Sequence, residues 1–140
     1  MAVHVLAVLA YKSGDRVTSA LLASSVNTNP VVIRRLLLAL QKAKLVETRK
    51  GAGLGSRLGR SPARIDLGEV YRAVENHECF VMGRKKPSHA CPVGQCIQGE
   101  LEKVFISAEN ALERELSQTS LADILDTVKA SCLGSSKRAA

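Results

Sequence analysis

The order of local signals from Thr18 to Leu58 restricts the fold more than any other part of the chain. Thr18 is a good N-cap for a short helix over 19–26, with Leu21, Leu22, Ala23 and Val26 as its apolar surface. Asn27-Thr28 breaks the pattern and Asn29-Pro30 opens a second helix: asparagine caps well, and proline at the first helical position forfeits no hydrogen bond. Ile33, Leu36, Leu37 and Leu40 recur at helical spacing and predict a core face. Leu45-Val46-Glu47-Thr48-Arg49 alternates as a short strand, Lys50-Gly51-Ala52-Gly53-Leu54-Gly55 makes a flexible tip, and Ser56-Arg57-Leu58 returns. Helix, tight turn, helix and glycine-rich hairpin, in that order, make a winged helix-turn-helix.

That order has a chemical consequence. Arg34 and Arg35 fall outside the apolar stripe, with Thr28, Asn29, Val31 and Val32 at the leading end, where a helix entering a major groove meets base edges. Glycines let the tip approach a sugar-phosphate backbone closely, and Arg49, Lys50, Arg57 and Arg60 surround it with positive charge. The candidate contacts to double-stranded DNA are therefore Thr28, Asn29, Val31, Arg34, Arg35, Arg49, Lys50 and Arg57, with Arg57 expected to reach the minor groove. The competing reading of the second helix is an ordinary solvated charged face. A dinucleotide-binding loop is the competing reading of the glycines, but Gly51, Gly53 and Gly55 do not spell G-x-G-x-x-G and no helix opens directly after them.

Charge distribution agrees with a polyanionic partner. Of the 140 residues, 1–65 hold 11 Lys/Arg against 2 Asp/Glu, whereas 66–140 hold 9 against 11. The net charge of +7 is thus concentrated on the proposed reading head. A membrane surface would also attract it, yet 31–43 is not a strongly cationic amphipathic helix, aromatic anchors are missing, and the apolar runs fall far short of about 20 residues. The opening 1–11 lacks a basic n-region and contains His4, so it reads as a first core helix with little or no strap before it. A cytoplasmic protein with reduced cysteines is expected.

In the second half, Asp66-Leu67-Gly68-Glu69 resembles a capping box for a helix to about Glu75, with Leu67, Val70, Tyr71 and Val74 inward. Residues 76–90 read as a mobile loop. A long helix starts near Pro92 or Gln95 and runs to about Leu116, with Ile97, Leu101, Val104, Phe105, Ala108, Leu112 and Leu116 as one stripe. Ser120 to Asp123 caps a last short helix carrying Leu121, Ile124, Leu125 and Val128. One small head offers little surface to cover the long stripe, so a symmetric homodimer with two crossing helices is expected. Two heads would then read a palindromic operator with half-sites about 10 base pairs or a multiple apart. The expected class is mainly α with a small β-hairpin wing: a winged helix-turn-helix over 1–75, a sensor loop over 76–91, a dimerisation helix and short terminal helix over 92–130, and a tail over 131–140.

These pieces together resemble the Rrf-type winged helix-turn-helix transcriptional regulators of bacteria (the IscR/NsrR/CymR/YwnA-like group). The matching residues are Val17-Thr18-Ser19 into Leu22-Ala23, Asn29 through Leu37, Leu40 to Val46, the glycine wing from Gly51 to Leu58, Ile65-Asp66-Leu67, Val70 through Glu75, and Ala90-Cys91-Pro92-Val93-Gly94. The resemblance covers nearly the whole chain. It implies a homodimeric repressor or dual regulator, with a long crossing helix and an effector-sensing region ahead of it. Two departures stand out. Wings of this family usually carry consecutive glycines, whereas Leu54 and Ser56 interrupt them here. Cluster-binding members place three cysteines close together, whereas Cys91-x4-Cys96 supplies two and Cys79 lies well before them.

Three readings of the cysteines follow. Cys91, at a helix N-terminus with Arg84, Lys85 and Lys86 nearby in sequence, suits a redox-sensing thiol, with Cys96 and Cys79 as partners. The alternative makes Cys79, Cys91 and Cys96 ligands of an iron–sulfur cluster, with His77 and His89 as further candidates; otherwise no cofactor or metal is expected. The plain alternative is that they are small buried apolar residues, the reading preferred for Cys132. The effector is then an oxidant or a small molecule. A small thiol oxidoreductase on Cys91 and Cys96 is the rival of another class, though C-x-x-C is missing; a protein-interaction module with an incidental basic face is the other. Hydrolase motifs such as G-x-S-x-G and H-E-x-x-H do not occur, so no enzyme is expected.

Overall fold

A computed structural model describes residues 1–51, 53–75, 80, 82–83 and 85–136. Helix α1 (Ala2–Tyr11) is followed by α2 (Ser19–Val26) and α3 (Pro30–Lys42). The hairpin β1 (Val46–Arg49) and β2 (Gly55–Leu58) comes next, then a 3-10 turn (Pro62–Arg64) and α4 (Leu67–Val74). The long α5 (Pro92–Leu116) and α6 (Leu121–Ser136) complete the chain.

Local chemistry sets the helix ends. Thr18 Oγ1 accepts from Leu21 N–H at 3.3 Å, and Asn27, in the left-handed region at φ 57°, stops α2. Asn29 Oδ1 accepts from Val31 N–H at 2.8 Å with Pro30 directly after it, which starts α3. Asp66 caps α4 by accepting from Glu69 N–H at 2.9 Å. The expected box is only half closed, because the Glu69 carboxylate is taken by Arg60 at 3.1 Å. Ser120 and Asp123 do close a reciprocal box: Ser120 N–H donates to Asp123 Oδ2 at 2.8 Å and Asp123 N–H to Ser120 Oγ at 3.1 Å. The hydrogen bond from the Ser120 hydroxyl, then that from its backbone, holds the Asp123 carboxyl below the usual carboxylate range.

The core draws Val5, Leu6 and Leu9 from α1, Leu22 and Ala23 from α2, and Ile33, Leu37 and Leu40 from α3. Leu45, Val46, Ile65 and Val70 close it, and so does Leu121 at the start of α6, with no exposed surface. The terminal helix therefore packs back onto α1 and the 3-10 turn of the head. Its first residue is locked there, since Leu121 N–H donates to Ile65 O at 2.8 Å and Leu67 N–H to Thr119 O at 3.0 Å.

Three sequence expectations are corrected. Leu21, assigned to the apolar surface, is 49% exposed, because α2 turns only Leu22 and Ala23 fully inward. The last helix is not short: it continues to Ser136, into the span expected as a tail. A glycine such as Gly134 costs about 1 kcal/mol against alanine but does not stop a helix already propagating. Cys132 is exposed instead of buried. It shares the face of Leu121 and Leu125 but stands about 16 Å further along the axis, beyond the core. Cys79, His77, Arg84 and the final residues 137–140 lie outside the described residues.

Helix α5, at 25 residues about 37 Å long, has no buried side chain. Val93, Ile97, Leu101, Val104 and Leu112 are all exposed. Within the chain α5 docks on α4 near its own C-terminal end, where Arg72 meets Glu113 at 3.1 Å. Gly68 lets the two backbones close up there: a Cβ would stand 3.1 Å from Glu113 O and collide with Ser117 Oγ. Farther up, Phe80 stacks on Phe105 with ring centroids 5.0 Å apart.

Candidate nucleic-acid interface

The antiparallel hairpin pairs Val46 with Leu58, Glu47 with Arg57, Thr48 with Ser56 and Arg49 with Gly55. Its inward side is fixed by Val46 and by Ser56, the one buried polar residue among those described, whose hydroxyl is paired with Thr48 Oγ1 at 2.9 Å. A third strand position comes from Val17, whose backbone exchanges bonds of 2.9 and 2.8 Å with Ser56. Gly55 has to be glycine for two reasons: φ is 129°, and a Cβ would lie 3.0 Å from Val17 O. The wing is thereby pinned to the segment that leads into α2.

Between α3 and the wing runs a cleft of about 550 Å³. Arg34, Leu37, Leu38 and Gln41 line it from the helix, and Thr48, Arg49, Lys50, Leu54, Gly55 and Ser56 from the hairpin, with Thr18 and Ser19 completing it. A second cleft of about 760 Å³ is lined by Arg16, Lys44, Arg49 and Arg60 with Glu47, and meets the first at Gln41, Thr48 and Arg49. With Arg60 already paired to Glu69, the remaining three cations against one carboxylate make that surface attractive to phosphate.

Of the residues expected to contact DNA, Asn29, Val31, Arg34, Arg35, Arg49, Lys50 and Arg57 are exposed, and Thr28 is half-buried. Arg34, Arg49 and Lys50 are brought together in one cleft. Arg35 follows Arg34 about 100° around the helix. The Asn29 carbonyl oxygen is engaged in the α3 cap, leaving its amide nitrogen as the donor a base edge could use. Arg57 is not a free arm: its Nε and Nη2 both donate to Glu47 Oε2, at 2.9 and 2.8 Å. That hydrogen bond and the charge of Arg57 hold the Glu47 carboxyl below its ordinary range, against a smaller opposing effect of burial.

Arg16 escaped the sequence reading. It precedes Val17 in a segment with no motif, and only the tertiary fold brings its Nη1 to Gly55 O at 3.3 Å. Partial burial, then the like charges of Arg49 and Arg57, press its pKa downward, while Glu47 acts in the opposite sense.

The cysteines lie away from these clefts in the chain. Cys91 is the N-cap of α5, its side chain making no capping hydrogen bond, and Cys96 is in the second turn; both thiols are free and exposed. Gln95 Nε2 donates to His89 O at 2.7 Å beside them. An iron–sulfur cluster needs about four converging ligands. Among the described residues no group of three His, Cys, Asp or Glu side chains stands close enough to hold a metal ion; the candidate ligands Cys79 and His77 lie outside those residues. No described helix is long and apolar enough to cross a membrane.

A family model described as Rrf2, iron-dependent transcriptional regulator, matches residues 1–127. YwnA of Bacillus subtilis (strain 168), named as an HTH-type transcriptional regulator, is 40% identical over 126 residues, covering 90% of this chain and 92% of that protein. A crystal structure described as that of a DNA-binding protein is 41% identical with a TM-score of 0.71, covering 89% of this chain and 95% of that one. IscR of T. potens, 23% identical, shares the fold at a TM-score of 0.67 over 93% of this chain and 84% of its own.

Proposed function

The chain belongs to the Rrf2 family of transcriptional regulators, not to a family of enzymes, and on that premise we propose that it is a homodimeric, cytoplasmic repressor that reads a palindromic operator. The observation that carries the reading is the convergence of Arg34, Arg49 and Lys50 on the cleft between α3 and the wing. In this reading α3 enters the major groove, Val31 and the Asn29 amide meet base edges, and Arg34 and Arg35 contact bases or phosphates. Thr28 contacts the backbone, Lys50 and Arg49 follow the neighbouring minor groove or its phosphates, and Arg57 supplements them. The unburied stripe of α5 supports a second copy as its cover, which would set the spacing of the two heads.

Arg34→Ala is expected to weaken binding to a duplex selected by the wild-type protein from a random pool by about 1–3 kcal/mol, and to flatten the salt dependence. Fluorescence anisotropy at several salt concentrations measures both. Unchanged affinity and slope would remove Arg34 from the interface.

Control is proposed to act through Cys91 and Cys96, with Cys79 as a third thiol. Two-electron oxidation by a peroxide, or alkylation by an electrophile, at an exposed thiol that starts α5 would shift the dimer helix and thereby the separation of the heads. Anaerobically purified protein is expected to be colourless, and peroxide to change its DNA affinity in the wild type but not in Cys91→Ser. Visible charge-transfer absorption would replace this reading with the iron–sulfur cluster alternative, the family description naming an iron dependence; indifference to oxidant with a colourless protein would discard both.

A further inference from the structure

The exposed face of the wing carries more order than a basic patch requires. On β1, Val46 is buried and Thr48 half-buried while Glu47 and Arg49 are exposed, and on β2 Arg57 is exposed. The register sets Arg57 opposite Glu47, so both donors of Arg57 close on one carboxylate oxygen. Opposite Arg49 stands Gly55, which has no side chain, and Arg16 reaches that position from the segment before α2, donating to Gly55 O at 3.3 Å. Three guanidinium groups therefore surround one carboxylate, with two positive charges in surplus.

A phosphate diester suits what this face offers: planar donors, of which Arg16 and Arg57 are already held by hydrogen bonds, so that less side-chain entropy remains to be lost on binding. Yet one of the three arginines is already occupied. Cross-strand pairing of Glu47 and Arg57 at an exposed position adds little stability, too little to explain by itself a carboxylate set among cations placed to meet a DNA backbone. A carboxylate there lowers affinity for every duplex alike, which raises the fraction of binding that base contacts must supply.

We propose that Arg16, Arg49 and Arg57 form a site for a DNA backbone phosphate on the wing, and that Glu47 sets its strength by holding Arg57 away from the phosphate. The site rests on the DNA-binding reading above and extends it with two residues, Arg16 and Glu47, that the sequence did not single out. Glu47 acts here as a positioning residue: it restrains the contact, and its loss strengthens binding that needs no particular base sequence.

The test is a cycle of variants titrated with a short duplex of random sequence over a range of salt. Glu47→Gln is expected to bind about threefold to tenfold more tightly than wild type at roughly 0.1 M salt, with a log–log salt slope steeper by about 0.9, as one further phosphate is neutralised. Arg57→Gln leaves an unpaired carboxylate facing the backbone and should bind more weakly than wild type. The double variant, with the surplus charge restored, should return close to wild type. Arg16→Ala should lose affinity several-fold with a slope shallower by about 0.9. Thermal melts of all four accompany the titrations, so a fold defect in one variant is seen and the remaining three decide. The proposal is overturned if natively melting Glu47→Gln binds no more tightly than wild type, if the double variant stays as weak as Arg57→Gln, or if Arg16→Ala lies on the wild-type salt line. Wild-type protein that shows no salt-dependent binding to any duplex would instead remove the DNA-binding reading itself.

Discussion

Replacing Leu101 and Val104 together by glutamate is expected to yield a folded monomer that has lost at least about a hundredfold in affinity for a two-half-site duplex. Leu101 is 37% exposed and Val104 61% exposed on a helix with no buried side chain. In a symmetric pair of such helices the same residues of both copies face one another, so two substitutions place four carboxylates in one apolar seam. Charges of one sign, stripped of water and unpaired, cost more than the seam can supply. Within one protomer those side chains are exposed already, so the head keeps its core and its melting transition. The loss in DNA binding follows because the second half-site contact is no longer intramolecular. Light scattering decides the first part: the variant should weigh close to 15.0 kDa and the wild type twice that. A wild type that is itself monomeric, or a variant that stays dimeric, would dismiss α5 as the dimer element.

Leu121→Ala should destabilise the protein by about 3 kcal/mol, within the usual 2–5 kcal/mol for emptying a buried leucine site, and lower Tm by on the order of 10 °C. Leu121 is fully enclosed in the head core although it opens the last helix. Two backbone bonds, Leu121 N–H to Ile65 O and Leu67 N–H to Thr119 O, clamp the two helix starts side by side, so the site cannot easily collapse around the lost side chain. Val128→Ala, on the same helix but 49% exposed, serves as the control and should change stability by less than about 0.5 kcal/mol. Equal effects of the two substitutions would mean that α6 is not anchored where it is described.

These two expectations differ in how visible they are from the chain alone. The α5 stripe is a periodic pattern, and its length and spacing already call for a cover. The anchoring of Leu121 is not a pattern at all. Its sequence neighbourhood, Ser120-Leu121-Ala122-Asp123, announces only a capped helix start, and the distance in sequence to Leu6, Leu9 and Ile65 carries no signal. The same contrast runs through the interface. Thr18 and Asn29 cap their helices as their side chains dictate, because a cap is completed within three residues. Arg57, a plausible free arm by sequence, is tied to Glu47 by strand register, and Arg16 meets Gly55 across 39 positions.

Short-range chemistry therefore settled which segments are helices, where each begins, that a glycine hairpin follows α3, and that positive charge gathers in the first half. Those properties depend on caps, periodicity and turn residues, whose partners lie within a turn or two along the chain. Tertiary structure alone decided which cations share a cleft, which arginine is restrained by a carboxylate, and that the first leucine of α6 seals the head. Such outcomes depend on strand register and on core packing, where a shift of one residue changes every neighbour while leaving the local pattern untouched.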